Sequence, residues 1–233
     1  MSAPLQFERT GDVSVIRLDD GKANAVSHAL LDALDEAFDR AEKEGGAIAL
    51  LGRPGRFSAG FDLSVMSQGP EAVQGLVGRG ADLLVRMLRS PAPIVAGATG
   101  HALAMGSLIL LAADSRIGAA GEYKVGLNEV AIGMVLPRFA VSLSEDRLSK
   151  RHLLRATTQA EIYDPAGAVD AGFLDRLVDA DGLEAETLAE AARLATLPRG
   201  AFAGTKRHLR SGLADRIENG LDAERSEWAL VRS

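Results

Sequence analysis

The stretch Arg56-Phe57-Ser58-Ala59-Gly60-Phe61-Asp62 decides the predicted fold, and it has a counterpart in Gly100-His101-Ala102-Leu103-Ala104-Met105-Gly106. Both are rich in Gly and Ala, and each follows a β-like run, at 47–51 and at 94–98. Small residues at such turns let a backbone approach a ligand closely and leave N–H groups pointing outward. Two N–H groups that converge from separate turns form an oxyanion hole, which stabilises an enolate or a tetrahedral intermediate. The sequence therefore predicts chemistry that depends on polarising a carbonyl group.

Composition excludes several other classes of site. The chain of 233 residues is long enough for one large domain, or for one domain with an appended helical segment. Its net charge of −6 argues against broad nucleic-acid binding, which needs a basic surface. Cysteine is absent, which excludes disulfides, thiolate catalysis and Cys-based metal sites. The four histidines lie far apart without the spacing of metal ligands, so no metal site is predicted.

The N-terminal 20 residues show no basic start followed by an apolar run, so we expect no signal peptide. The most apolar stretch, 102–113, is shorter than the ~20 residues that a membrane-spanning helix needs, and it indicates a buried helix. We expect a soluble cytoplasmic protein that does not bind membranes.

Strands and helices alternate along the first half of the chain. Strands are predicted at residues 5–9, 13–18, 47–51, 94–98, 114–117 and 174–178. Helices are predicted from a Ser27 cap to the glycines at 45–46, then at 71–89 and 105–113, and later at 183–197, 201–211 and 213–228. This alternation indicates a largely parallel sheet with crossover helices, followed by a helical tail suited to assembly or to covering a site.

With these residues in place, the chain resembles the crotonase superfamily, the enoyl-CoA hydratase and isomerase family. The run 57–63 looks like the first oxyanion-hole turn of that family, and the run 100–106 looks like the second. Asn128-Glu129, followed by Ile132-Gly133, matches the segment that carries its catalytic glutamate. The run 19–25 is similar to its early CoA-contacting loop. Four motifs in the right order make the resemblance specific over about residues 5–178.

The resemblance implies an α/β fold, the crotonase/ClpP-like spiral of ββα units with a helical C-terminal region. Residues 1–180 would form the spiral core and residues 181–233 a C-terminal helical oligomerisation region. We therefore expect a homotrimer, or a hexamer built as a dimer of trimers.

The resemblance also implies an acyl-CoA substrate, with coenzyme A present as part of the thioester and no separate cofactor. The thioester carbonyl would accept hydrogen bonds from the backbone N–H groups of Phe61 and Met105. Glu129 would act as the acid and base. It is the only acid in 125–136, and its apolar neighbours would raise the pKa of its carboxyl toward neutrality. The alternative is a glutamate that points to water from a loop.

The resemblance implies a larger set of contacts with the CoA and acyl groups. By matching positions, these contacts come from Lys22, Ala23, Ala59, Gly60, Asp62, Leu63, Gly106 and Leu108. Lys22 has the best match for receiving the phosphates of CoA. Arg53 and Arg56 lie in or next to the same loops, where a solvated role is equally open to them.

The chain departs from the family pattern at Leu108, where hydratases of the family carry a second glutamate. Adding water to a double bond needs one group for the water and another for the α-carbon proton. One carboxylate is enough to isomerise a 3-enoyl-CoA to a 2-enoyl-CoA, as in fatty-acid β-oxidation. A weak hydratase, with Ser107 or His101 partly replacing the acid, and a non-catalytic acyl-CoA-binding protein remain alternatives. A Clp-type serine peptidase is disfavoured by Ala104 at the nucleophile position.

Overall fold

The computed structural model describes residues 3–230, without the side chains of residue 222 and residues 225–230. The ends of the predicted core and tail regions, residues 1–2 and 231–233, lie outside the described residues. The strands are β1 Leu5–Thr10, β2 Val13–Leu18, β3 Ala47–Leu51, β4 Gly55–Ser58, β5 Ile94–Ala98, β6 Gly100–Leu103, β7 Ser115–Ala119, β8 Val125–Gly126 and β9 Arg176–Val178.

The described strands form two sheets. The larger has six strands in the order β1-β2-β3-β5-β7-β9, and the smaller has three in the order β4-β6-β8. Only the β1–β2 hairpin is antiparallel, and the other pairs of strands are parallel. β3 and β5 are buried along their whole length, as expected for parallel strands covered on both faces.

The helices are α1 His28–Glu44, α2 Leu63–Met66, α3 Pro70–Arg89, α4 Met105–Ala112, α5 Arg138–Arg147, α6 Leu153–Ala156, α7 Pro165–Ala171, α8 Leu183–Ala195 and α9 Arg199–Leu230. Single 3-10 turns lie at Val130–Ile132 and Ala180–Gly182. α8 packs on β3 and β5, and α9 packs on α3 and α5. No helix in the described range is both long enough and apolar enough to cross a membrane.

Successive units of the chain place one strand in each sheet and then add a helix. The unit β3-β4 precedes α3, and the unit β5-β6 precedes α4. This repeat is the predicted spiral of ββα units, and the fold prediction is confirmed. The two stretches predicted as turns, 56–62 and 100–106, each begin with a short strand of the smaller sheet, β4 or β6. Strands of two to four residues have too little alternation to be recognised from the sequence.

The prediction of two helices at 201–211 and 213–228 is wrong, because α9 continues through Gly212 as one helix. A glycine inside a helix costs about 1 kcal/mol relative to alanine. The residues that follow it are buried against the core: Leu213, Ala214, Ile217 and Leu221. Burial of one large apolar side chain contributes about 1.5–3 kcal/mol, so packing outweighs the propensity of the glycine.

Candidate active site

The first turn of the site follows β4 and is held against the loop after β2. The Ala59 amide donates to the Ala23 carbonyl at 3.0 Å, and the Asp62 amide donates to the Val26 carbonyl at 3.0 Å. The Gly60 carbonyl accepts from the Val26 amide at 2.8 Å. Successive N–H groups of an extended segment point to opposite sides, so these bonds direct the N–H of Phe61 away from Val26. Among the described residues, no protein acceptor takes that proton.

The second turn joins β6 to α4 through an unusual backbone conformation. Ala104 has φ 50° and ψ −123°, a region that a non-glycine residue occupies only when its surroundings enforce it. Its amide donates to the Gly126 carbonyl at 2.9 Å. Met105 is the first residue of α4, so its N–H has no partner within the helix and lies at the positive end of the helix dipole. No acceptor for it occurs in residues 3–230.

The two turns lie against each other. A Cβ atom on Gly60 would lie 2.7 Å from the Ala104 Cβ and 3.4 Å from the Met105 amide nitrogen. The side chains of Phe61 and Met105 also meet at one point on α3. A Cβ atom on Gly80 would lie 2.6 Å from the Phe61 ring and 3.3 Å from the Met105 Cε. The structure thus brings together the two turns that carry the predicted N–H donors.

Ser107 connects the second turn to the strand that leads to Glu129. Its buried hydroxyl donates to the Ala102 carbonyl at 2.7 Å and accepts from the Gly126 amide at 3.0 Å. The hydroxyl therefore bonds within the protein and does not replace a missing acid. Glu129 follows Gly126 by three residues, just before the 3-10 turn. The backbone from Gly126 to Glu129 therefore contacts the second turn and also carries the predicted acid.

Glu129 is buried, with 8% of its surface exposed. Burial raises the pKa of its carboxyl, and a bond to its own backbone opposes this only in part. Its Oε2 atom is buried without a hydrogen-bond partner in the described structure, and so is Oδ1 of the adjacent Asn128. Buried oxygens without partners are uncommon and often mark a place where a ligand binds. The alternative of a glutamate pointing to water does not fit this burial.

Leu108 lies on α4, one turn after the start of the helix, with 1% of its surface exposed. Its neighbours on the helix, Ile109, Leu110 and Leu111, are equally buried and apolar. Position 108, at which the sequence lacks a second acid, is therefore part of the hydrophobic core. Gly106, one residue after Met105, packs tightly on β4, since a Cβ atom there would lie 2.5 Å from the Ser58 carbonyl oxygen.

The loop 19–25 is organised by two residues to which the sequence assigned no role, Asp20 and Asn24. The Asp20 carboxylate accepts from the amides of Lys22, Asn24 and Ala25, and these bonds lower the pKa of Asp20 despite its partial burial. Asn24 is fully buried at φ 51°, and its Nδ2 donates to the Leu18 and Phe57 carbonyls. The Asp-Asn spacing is the only sequence signal that could have identified this turn.

The other predicted contact residues lie around this loop. Lys22 is exposed, and its carbonyl accepts from the Arg53 guanidinium. Ala59 is exposed, and Leu63 is 70% exposed, so an apolar surface is open to solvent beside the loop. Asp62 caps α2 by accepting from the Ser64 amide at 2.8 Å, which gives it a structural role. Ala23 is half-buried and joins the loop to the first turn.

Comparison with known proteins shows the family and the fold of the chain. The family model for enoyl-CoA hydratase/isomerase matches residues 8–229. A solved enoyl-CoA hydratase/isomerase family protein from Pseudomonas syringae is 39% identical with a TM-score of 0.94, covering 96% of this chain and 97% of its own. A Mycobacterium tuberculosis protein, described as an enoyl-CoA isomerase in one structure and as a probable enoyl-CoA hydratase in another, is 34% identical with a TM-score of 0.93 in both. The first structure covers 97% of this chain and 100% of its own. Mitochondrial enoyl-CoA delta isomerase 1 of Homo sapiens is 29% identical over 91% of this chain and 72% of its own length.

Proposed function

The chain belongs to the enoyl-CoA hydratase/isomerase family, and we propose that it isomerises 3-enoyl-CoA to 2-enoyl-CoA with Glu129 as the single acid and base. The observation that carries the proposal is one buried carboxylate with an unpartnered oxygen, together with an apolar residue, Leu108, where a second acid would be needed for hydration. Similarity to proteins described as enoyl-CoA isomerases supports it.

The thioester carbonyl oxygen accepts hydrogen bonds from the N–H groups of Phe61 and Met105. Both donors belong to the backbone, and both turns are fixed by hydrogen bonds to neighbouring segments. Such preorganised donors stabilise the oxygen most when it carries negative charge, and loss of one typically costs about 3–4 kcal/mol of transition-state stabilisation. Withdrawal of electrons into this oxygen makes the C2 protons of the substrate acidic.

Glu129 then moves one proton between two carbons. Its carboxylate removes a proton from C2, and the electrons of that C–H bond form the C1–C2 double bond of a dienolate. The protonated carboxyl returns the proton to C4, the C2–C3 double bond forms, and the thioester carbonyl is restored. Because burial raises the pKa of Glu129, its protonated form is accessible as the intermediate that this transfer needs.

The loop 19–25 and the exposed surface beside it are where we place coenzyme A. Lys22 supplies positive charge for the phosphates, while Ala23, Ala59, Gly60, Asp62 and Leu63 border the adenosine and pantetheine. The assembly, a trimer or a hexamer, is also a proposal for this chain. Exposed apolar side chains support a subunit contact, and they are Val130, Ile132, Val135, Val141 and Leu154.

The test is incubation with a series of 2-enoyl- and 3-enoyl-CoA thioesters in heavy water, followed by mass spectrometry of the products. We expect conversion of the 3-enoyl thioester to its 2-enoyl isomer with little hydrated product. Glu129→Gln should lower kcat by about 10²–10⁴-fold, the usual contribution of a general base. Glu36→Gln, at an exposed position on α1, is the matched control and should keep wild-type activity.

Three results would contradict the proposal. Efficient formation of the 3-hydroxyacyl product would assign a hydratase. Tight binding of the thioesters without turnover or deuterium exchange would assign a binding protein. Wild-type turnover by Glu129→Gln would remove this residue from the mechanism.

A further inference from the structure

Three basic residues lie side by side across one end of the smaller sheet, two of them on β4 and β6 and the third just before β8. In the parallel register Arg56 of β4 is opposite His101 of β6. The pairing of Ala102 with Val125 places Lys124, just before β8, opposite His101 on the other side. Paired residues of neighbouring strands project from the same face of a sheet. We call Arg56, His101 and Lys124 the basic row.

The basic row faces away from the protein core. Its neighbours along the strands, Phe57, Ala102 and Val125, are fully buried, whereas Arg56 and His101 are half-buried and Lys124 is exposed. Each residue of the basic row precedes one residue of the candidate active site, Phe61, Met105 or Glu129, by four or five positions. The row is therefore at the opposite end of these strands from the candidate active site.

The backbone fixes the orientation of the imidazole. The Lys124 amide donates to Nδ1 of His101 at 3.1 Å. Since Nδ1 accepts this bond, the proton of the neutral ring lies on Nε2, which is left as a donor. Burial and the positive charges of Arg56 and Lys124 lower the pKa of His101. All three members of the row therefore present donors, and two carry permanent positive charge.

This positive charge is not compensated within the described part of the chain. Arg56 donates to the Gly55 carbonyl at 3.2 Å, and neither it nor Lys124 forms an ion pair with a described carboxylate. Most other arginines described here are paired with Asp or Glu, so two adjacent unpaired cations stand out in a chain of net charge −6. Glu122 lies nearby, but it is not among the groups that shift the pKa of His101.

A cavity of about 800 Å³ adjoins the row, with His101 and Lys124 in its wall. Its other side is formed by residues 162–166, including Ile162 and Tyr163. The cavity thus combines donors for an anion with an apolar and aromatic surface that can hold the body of a ligand. Its volume is within the range of small-molecule sites in proteins.

We propose that the basic row is a binding site for a phosphate monoester, with the phosphate between Arg56, His101 and Lys124. The body of a separate phosphorylated metabolite would lie in the adjoining cavity, whereas the body of CoA would extend from the row toward the loop 19–25. The phosphate belongs either to the CoA moiety of the substrate or to a separate phosphorylated metabolite. The first source rests on the proposed function, whereas the second does not. Arginine and lysine both bind phosphate through charge-assisted hydrogen bonds, which are stronger than neutral ones.

The test is isothermal titration calorimetry on the full chain with inorganic phosphate, CoA and dephospho-CoA, which lacks the 3′-phosphate. Lys124→Met and Arg56→Met each remove one positive charge, and Lys150→Met is the control at an exposed lysine outside the row. We expect each row variant to weaken phosphate binding about tenfold, as loss of one charge-assisted bond predicts, and the control to leave it unchanged. Thermal unfolding verifies that each variant is folded.

The two sources give different results. If the phosphate is that of CoA, the row variants remove the preference of the protein for CoA over dephospho-CoA. If it is a separate metabolite, phosphate still binds in the presence of saturating CoA, and the row variants weaken that binding. Equal phosphate affinity in wild type, row variants and control, or no binding to wild type at millimolar phosphate, would overturn the proposal. None of these measurements requires turnover, so failure of the phosphate-site proposal can be distinguished from failure of the proposed isomerase function.

Discussion

Replacing Glu129 by Gln should make the protein more stable at pH 8 although it lowers kcat. Within the described part of the chain, the Oε2 atom of Glu129 is buried without a hydrogen-bond partner, so the ionised carboxylate destabilises the folded state. Leaving one buried acceptor unsatisfied costs about 1–3 kcal/mol, and more when the group is charged. The amide of Gln has nearly the same size and no charge. We therefore expect Glu129→Gln to raise the free energy of unfolding by about 1–2 kcal/mol at pH 8.

The effect should depend on pH in a definite direction. Burial raises the pKa of Glu129 in the folded protein above the value of 4.5 that applies to an unfolded chain. Below pH 4.5 the carboxyl is protonated in both states and the penalty is absent. Between the unfolded and the folded pKa the folded state binds more protons, so its stability falls as pH rises, until the full penalty is present above the folded pKa. The advantage of Gln should therefore grow from nearly zero at low pH.

The assay is thermal unfolding of wild type, Glu129→Gln and the control Glu36→Gln from pH 4 to pH 8.5. For a chain of this size 1 kcal/mol corresponds to about 2–4 °C, so the expected rise in Tm at pH 8 is about 2–8 °C. A destabilised Glu129→Gln variant, or a difference from wild type that does not change with pH, would refute the reasoning. The exposed control should show no such dependence.

Three further predictions concern the positioning of the site. Gly60→Ala should lower kcat about 10²-fold or more. Gly60 has a φ of 91°, and the added methyl group would press on Ala104 and displace the Phe61 N–H donor. A near-normal kcat in steady-state assays would contradict this prediction. Gly80→Ala should lower both kcat and Tm through contact with the Phe61 ring, whereas Gly75→Ala on the same helix, with open space around it, should raise Tm. Ser107→Ala should cost about 1–3 kcal/mol in urea unfolding, since it removes the buried hydroxyl that donates to the Ala102 carbonyl and accepts from the Gly126 amide.

The sequence predicted the long elements well because their signals are local. Ser27 was predicted to cap α1, and its side chain accepts from the Leu30 amide. The apolar residues at spacings of three and four from Leu30 to Ala41 form the buried face of that helix. Periodicity over four turns and a capping side chain depend only on neighbours along the chain, so they can be recognised without knowledge of the fold.

The short strands and the backbone conformations that shape the candidate site depend on contacts between distant parts of the chain. They could therefore not be predicted from local sequence patterns. The strands β4, β6 and β8 are too short for periodicity and form only because neighbouring strands pair with them. The backbone conformation of Ala104 is unfavourable for an alanine. It is held by the hydrogen bond from its amide to the Gly126 carbonyl and by contact with the first turn. The sequence named Phe61, Met105 and Glu129 through the motif match, and their roles stay predictions until the variants are assayed.

The three short parallel strands of the smaller sheet each run toward one residue of the candidate site, Phe61, Met105 or Glu129. Because these strands are hydrogen-bonded to one another, the three groups are mounted on a common rigid frame. We therefore expect motions of the outer helices to change the spacing between these three groups little. On the proposed function, loops on the periphery could then be exchanged to accept a different acyl group while the proposed donors and acid keep their alignment.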